Sequence, residues 1–233
     1  MSDEELRRLL AEGTQVPPDE KRLAEIRALL TSRLTPVRAL PSNPFLITVS
    51  LAGFVLICLL ATMYGGHGGW HVLSPFQSIV YFGVFLSLAI LFSIAIVEQV
   101  IPGAPRRVRP GWLLAGAALL LVALIPVLFE RFSFNRFVES GIPCLEFGTV
   151  CAAIGGALGF LLIRKGFLTT PLQAAVLTGC FAGLAGVTAL ALVCPQLNAP
   201  HILVWHFGTM AIGTAAGALI GLVVEWQMAR NEN

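Results

Sequence analysis

Residues 76–97 read FQSIVYFGVFLSLAILFSIAIV, an unbroken run from Phe76 to Val97 without one charged side chain. A membrane span takes about 20 mostly apolar residues, since each helical residue adds about 1.5 Å toward a hydrocarbon core about 30 Å thick. In lipid such a run must be a helix, because every unpaired backbone group there costs several kcal/mol. The chain repeats the pattern at Phe45–Met63, Trp112–Phe129, Leu145–Ile163, Pro171–Val193 and His201–Val224. Turn and charge signals separate the runs. They are Gly65-Gly66-His67-Gly68-Gly69, Pro102-Gly103-Ala104-Pro105, the polar run Glu130 to Ser140, Arg164-Lys165-Gly166, and Pro195 to Pro200. The fold class is all-α: a polytopic integral membrane protein with six transmembrane helices.

Composition agrees. Of 233 residues, 56% are hydrophobic and 12% charged, with a mean hydropathy of +0.82. Soluble domains carry about 25% charged residues, so a water-soluble enzyme is nearly ruled out. The apolar content excludes disorder. Five cysteines are too few for a disulfide-stapled secreted scaffold, and a net charge of +2 is too small to suggest a nucleic-acid partner.

Basic residues set the expected orientation. With a cytoplasmic N-terminus, only Arg131 and Arg136 of the 15 basic residues fall in outer loops. That asymmetry puts both termini inside. Trp70, Trp112, Trp205 and Trp226 lie near the expected interfaces, where indole rings anchor. The first 44 residues are polar and mixed in charge, unlike a secretory signal. The expected organisation is a short amphipathic cytoplasmic segment over 1–44, a membrane domain over 45–224 and a cytoplasmic tail over 225–233.

The last three spans are rich in glycine spaced by four: Gly155 and Gly159, Gly179 and Gly183, then Gly213, Gly217 and Gly221. Small residues on one face let helices approach closely. Packing within one chain is the simpler expectation, and a homo-oligomer interface is the other.

The spans lack intramembrane charge. Glu98, Glu130, Glu146 and Glu225 sit at expected helix ends, and no Lys or Arg falls inside a span. Charges deep in a membrane mark ion and proton pathways, so a proton-coupled transporter and a channel with a charged filter are disfavoured. The histidines, His67, His71, His201 and His206, all fall on or just below the outer surface. The glycines around His67 and His71 argue against a helix there. No phosphate loop, zinc-protease motif or serine elbow occurs, so neither an enzyme nor a cofactor is expected.

Two features remain. The first is the N-terminus. Ser2 and Glu5 form a capping box before Leu6, Leu9 and Leu10, and a second helix opens at Asp19-Glu20. Its Leu23, Ile26, Leu29, Leu30 and Leu34 make one apolar stripe. Two helices this short cannot build a core of their own. The stripe docks on a partner protein, on the membrane domain or on membrane lipid. Seven acidic and seven basic residues, with no aromatic before Phe45, fit a protein partner better than lipid.

The second is the cysteine set. Cys58, Cys151 and Cys180 fall within spans as small apolar residues. Cys144 precedes the fourth span and Cys194 follows the fifth, so both reach the same outer face, each beside a proline, with Glu146, His201 and His206 at similar depth. Paired thiols in an oxidising compartment form a disulfide or bind a soft metal. A static disulfide and a redox- or metal-responsive pair are both open at this point. His201 and His206 are five apart, about 140° around an α-helix, which argues against a four-ligand zinc site.

An amphipathic N-terminus, six spans, Cys144, Cys194-Pro195, Trp205-His206 and a glycine-rich final span together resemble the NrsF-type membrane anti-sigma factors. The resemblance implies that the Leu6–Leu34 stripe holds an extracytoplasmic-function sigma factor at a bacterial inner membrane. It also implies that Cys144 and Cys194 are thiols sensing oxidants or heavy metals. The rival classes are a small-molecule transporter, a subunit of a membrane complex and, more weakly, a thiol oxidoreductase. Missing intramembrane charge argues against the first, and the lack of Cys-x-x-Cys against the last.

Overall fold

The computed structural model describes residues 20–32, 41–101, 107–129, 132–134, 136–163 and 170–231, and the chain divides into two units, Met1–Ala39 and Leu40–Asn233. In the first unit one helix is described, α1 (Glu20–Ser32). Leu23, Ile26 and Leu29 recur along it at helical spacing and are all exposed. Leu6, Leu9, Leu10 and Leu34, and the side chain of Leu30, lie outside the described residues.

The second unit holds α2 (Asn43–Gly65), a short α3 (Gly68–Val72), α4 (Pro75–Val100), α5 (Pro110–Leu128), α6 (Phe137–Ile163), α7 (Pro171–Val193) and α8 (Ala199–Asn231). All but α3 are long and apolar enough to cross a membrane, with mean hydropathies of 1.8 to 2.6. No strand occurs among the described residues. The six expected spans are all present, and the protein is a multi-pass membrane protein.

Proline opens five of these helices, at the first or second position of α2, α4, α5, α7 and α8. Its fixed φ suits a first turn, and the N–H it lacks has no intrahelical partner there anyway. At α4 a capping box adds to this: Ser74 Oγ accepts the Gln77 N–H at 3.2 Å, and Gln77 Oε1 accepts the Ser74 N–H at 3.0 Å. The Gln77 amide also donates to the Leu128 carbonyl at 2.7 Å, satisfying an orphan acceptor at the end of α5.

Helix α7 is the axis of the bundle. Of its most apolar window 78% is buried, against at most 44% for any other span, and the other five spans all pack on it. The glycine rows explain how. A Cβ on Gly183 would stand 2.5 Å from the Met210 Cα, and one on Gly213 2.7 Å from the Gly179 carbonyl oxygen. Gly221 meets the Leu172 backbone, and Gly155 and Gly159 meet Ile57 and Thr178. All three glycine rows are therefore used within the chain, to bring α6, α7 and α8 together and to seat α2 against α6.

Polar contacts gather at the two ends. At one end Glu225 accepts the Leu172 N–H at 3.1 Å, a carboxylate against the positive end of α7. Thr170 bonds Gln99 at 2.8 Å beside it. Glu98 accepts the backbone N–H of Arg107 at 3.1 Å. The opposite end carries the start of α6 and the α7–α8 junction, where Cys144 and Cys194 lie.

Three local expectations change. Helix α6 begins at Phe137, not Leu145, and runs through Pro143, so Cys144 lies inside it. The segment around His67 and His71 is helical despite its glycines, because Gly69 is buried and lets α3 rest against the Ala191 and Cys194 carbonyls. Helix α8 continues to Asn231, past the expected Val224.

Candidate functional site: a thiol and imidazole cluster

Three local devices build the cluster. First, α7 ends at Val193 and Cys194 turns to an extended conformation, its N–H still donating to the Leu190 carbonyl at 2.8 Å. Pro195 follows and stops the helix from continuing. This leaves the Cys194 side chain over the end of the bundle axis.

Second, Asn198 caps α8. Its Oδ1 accepts the His201 N–H at 3.1 Å, which fixes the first turn and the imidazole it carries.

Third, residues Ile202–His206 form a π-helical turn, in which the Phe207 N–H donates to the carbonyl of Ile202, five residues back. A turn closed over five residues brings positions five apart onto one side. The imidazoles of His201 and His206 consequently meet edge to face with centroids 5.3 Å apart. The regular-helix expectation that these two side chains diverge is overturned, and the π-turn is the reason.

Helix α6 supplies the fourth group. Gly141 is buried beneath the Trp205 indole, and the Phe137 ring packs on the same indole at 5.5 Å. That docking carries Cys144, one turn further on, to Cys194: its thiol donates to Cys194 Sγ at 3.2 Å. His201 Nε2 lies 3.6 Å from Cys194 Sγ. One donor atom from each of Cys144, Cys194, His201 and His206 lies within 4.8 Å of the others.

Burial is uneven. Cys194, His201 and His206 are 5%, 1% and 0% exposed, and Cys144 is half-buried, so the cluster opens on the Cys144 side. The Cys144 hydrogen bond and the two imidazoles pull the Cys194 thiol below its ordinary range, against the upward push of burial. Neither ring nitrogen of His206 has a hydrogen-bond partner among the described residues.

The other sequence candidates lie elsewhere. Glu146 is exposed and outside the group, because two residues beyond Cys144 is about 200° around the helix. His71 on α3 and His67 just before it are exposed, with rings 5.7 Å apart. Cys58, Cys151 and Cys180 are buried. Trp205, expected as an interface anchor, instead packs within the protein on Gly141. Spacing found the two thiols and named both histidines, and it missed that the histidines converge.

Two thiols at 3.2 Å can be joined by oxidation; two thiols and two imidazoles can together bind a metal ion. A family model described as negative regulator of sigma F matches residues 30–226. No curated protein and no solved structure matches the chain. The matched stretch contains five spans, most of the sixth and all four cluster residues, and leaves Leu6 to Leu29 outside. Covering most of the chain, the match makes this protein a member of the NrsF family, the negative regulators of sigma F.

Proposed function

We propose that the protein is a membrane-bound anti-sigma factor of the bacterial inner membrane. Its N-terminal segment holds an extracytoplasmic-function sigma factor, and an oxidant or heavy-metal signal at Cys144 and Cys194 releases it. The family is one of regulators, not of enzymes. The observation that carries the signal-receiving part is the meeting of Cys144 and Cys194 at 3.2 Å, on α6 and at the end of α7. Any bond across that pair ties α6 to α7, the helix on which every other span packs. A local reaction would then be felt by the whole bundle, as a two-state packing change requires.

The sequestering part is supported by the exposed Leu23, Ile26 and Leu29 on α1. With both termini cytoplasmic, as the basic residues indicate, that stripe faces the compartment in which a sigma factor works.

The test uses the full chain in cells carrying a reporter for the sigma factor. Cys144→Ser and Cys194→Ser variants are expected to change the response to oxidant or cadmium while the sigma factor still co-purifies with the membrane protein. Normal responses in both variants would remove the sensing role. Failure of any sigma factor to co-purify with the unstressed wild type would remove the anti-sigma reading itself.

A further inference from the structure

Two fully buried imidazoles, one of them (His206) with neither ring nitrogen hydrogen-bonded among the described residues, need an explanation that a cysteine pair alone does not supply. A disulfide uses only sulfur. It would leave both His206 nitrogens desolvated without a partner, at a cost of roughly 1–3 kcal/mol per group. The π-turn that brings His206 beside His201 has no role in a disulfide either, and such turns are frequent at functional sites.

We infer that Cys144, Cys194, His201 and His206 form a closed, four-coordinate site for a divalent ion of the zinc group, zinc or cadmium. This deepens the proposed signal site and rests on that reading for its regulatory meaning, though not for its chemistry.

The geometry is close to what such an ion needs. Metal–sulfur bonds near 2.3 Å and metal–nitrogen bonds near 2.05 Å put tetrahedral donors about 3.3–3.8 Å apart. Here Cys144 and Cys194 are 3.2 Å apart, Cys194 and His201 3.6 Å, and the four donor atoms span at most 4.8 Å. Side-chain movements of about an ångström close the shell. Two sulfurs and two imidazole nitrogens are the donor set of tetrahedral zinc sites, and four protein ligands leave no open position for catalysis.

Charge supports the same ion class. Binding converts two thiols to thiolates: two S–H bonds break, two metal–sulfur bonds form, and two protons leave to water, with no change of oxidation state. A divalent ion, two thiolates and two neutral imidazoles sum to zero. A neutral assembly is what a buried, low-dielectric site tolerates, whereas a bare thiolate or imidazolium there is costly. The half-buried Cys144 gives the ion its entry.

The experiment is a titration of the reduced full-length protein in lipid nanodiscs with Co²⁺, followed by displacement with Zn²⁺ or Cd²⁺. The expected result is one Co²⁺ per chain, with the intense visible bands of tetrahedral cobalt and thiolate charge-transfer absorption. His201→Ala, His206→Ala, Cys144→Ser and Cys194→Ser should each weaken binding by more than the roughly 10–100-fold worth of an outer-shell partner. Circular dichroism and gel filtration check folding. If His206→Ala does not fold, His206→Cys should, and it should keep the metal with stronger charge-transfer absorption. No tetrahedral spectrum from the wild type, or unchanged affinity in both histidine variants, overturns the site. Sigma-factor co-purification is scored on the same samples. Its loss in the metal-free wild type counts against the anti-sigma reading and leaves the metal result standing, while sigma binding without metal binding does the reverse.

Discussion

The Trp205 indole lies over Gly141 so closely that no side chain fits at that position. This contact joins the start of α6 to the π-turn of α8, one helical turn from Cys144 and one residue from His206. It sets the spacing of the cluster without contributing a ligand. Gly141→Val should push α6 away, costing about 1–3 kcal/mol as overpacking does. Oxidant-driven cross-linking of Cys144 to Cys194 should slow sharply, and thermal melting of the solubilised protein should shift down. Wild-type cross-linking in a destabilised Gly141→Val protein would mean that other contacts set the spacing.

Thiol accessibility gives the second prediction. Cys144 is half-buried and Cys194 is 5% exposed, while Cys58, Cys151 and Cys180 are buried in the bundle. A membrane-impermeant maleimide applied from outside to reduced cells should label Cys144 first and Cys194 more slowly. The other three should stay unlabelled. Labelling of Cys144 only from the cytoplasmic side would invert the orientation on which the signalling proposal rests.

The glycine rows predict unequal costs for one substitution. Gly183→Ala places a methyl 2.5 Å from the Met210 backbone, where nothing flexible can yield. It should destabilise the α7–α8 packing by about 1–3 kcal/mol. Gly116→Ala on α5 has nothing within 4 Å, and the better helix propensity of alanine should stabilise it by up to about 1 kcal/mol. Urea or thermal unfolding in one detergent compares the two directly. Equal effects would mean that the close approach of α7 to α8 is not what holds them.

Much of this was legible from residue order. Six apolar runs located six spans because a bilayer leaves the backbone no other structure. Spacing by four identified the glycine faces because it follows the helical period. Proline marked helix starts for a local reason as well. The convergence of His201 and His206 was not legible. It depends on one π-turn in Ile202-Leu203-Val204-Trp205-His206, residues that a regular helix accepts equally well. The α6 contact at Gly141 and Trp205, far apart in sequence, packs against that turn. The start of α6 was missed for a related reason. Glu139 and Ser140 read as loop by composition, yet Ser140 Oγ bonds the Arg136 carbonyl at 2.8 Å and Glu139 pairs with Arg136 at 3.7 Å.

Orientation can be mapped independently of chemistry. Reporter fusions after Gly69 and Asn198 should read outside, and fusions after Ala104 and Gly166 inside. A cytoplasmic signal at Asn198 would place Cys194 on the reducing side, where a disulfide would not persist.

Residues 1–29 lie outside the family match. Leu23 and Ile26 are exposed on α1, three residues apart on one face, as a helix laid into a partner's groove requires. Leu23→Asp or Ile26→Asp in the full-length chain would carry a charge into that contact. The cost should be at least about 3 kcal/mol, more than a hundredfold in affinity. The sigma factor should then be lost from membrane pull-downs and its target genes switched on without any signal. Metal binding at Cys144, Cys194, His201 and His206 should be unchanged, since neither Leu23 nor Ile26 is one of the four donors. Full repression in both variants would mean that the stripe docks elsewhere, and the sigma-binding surface would have to be sought within residues 30–226, the stretch that the family shares.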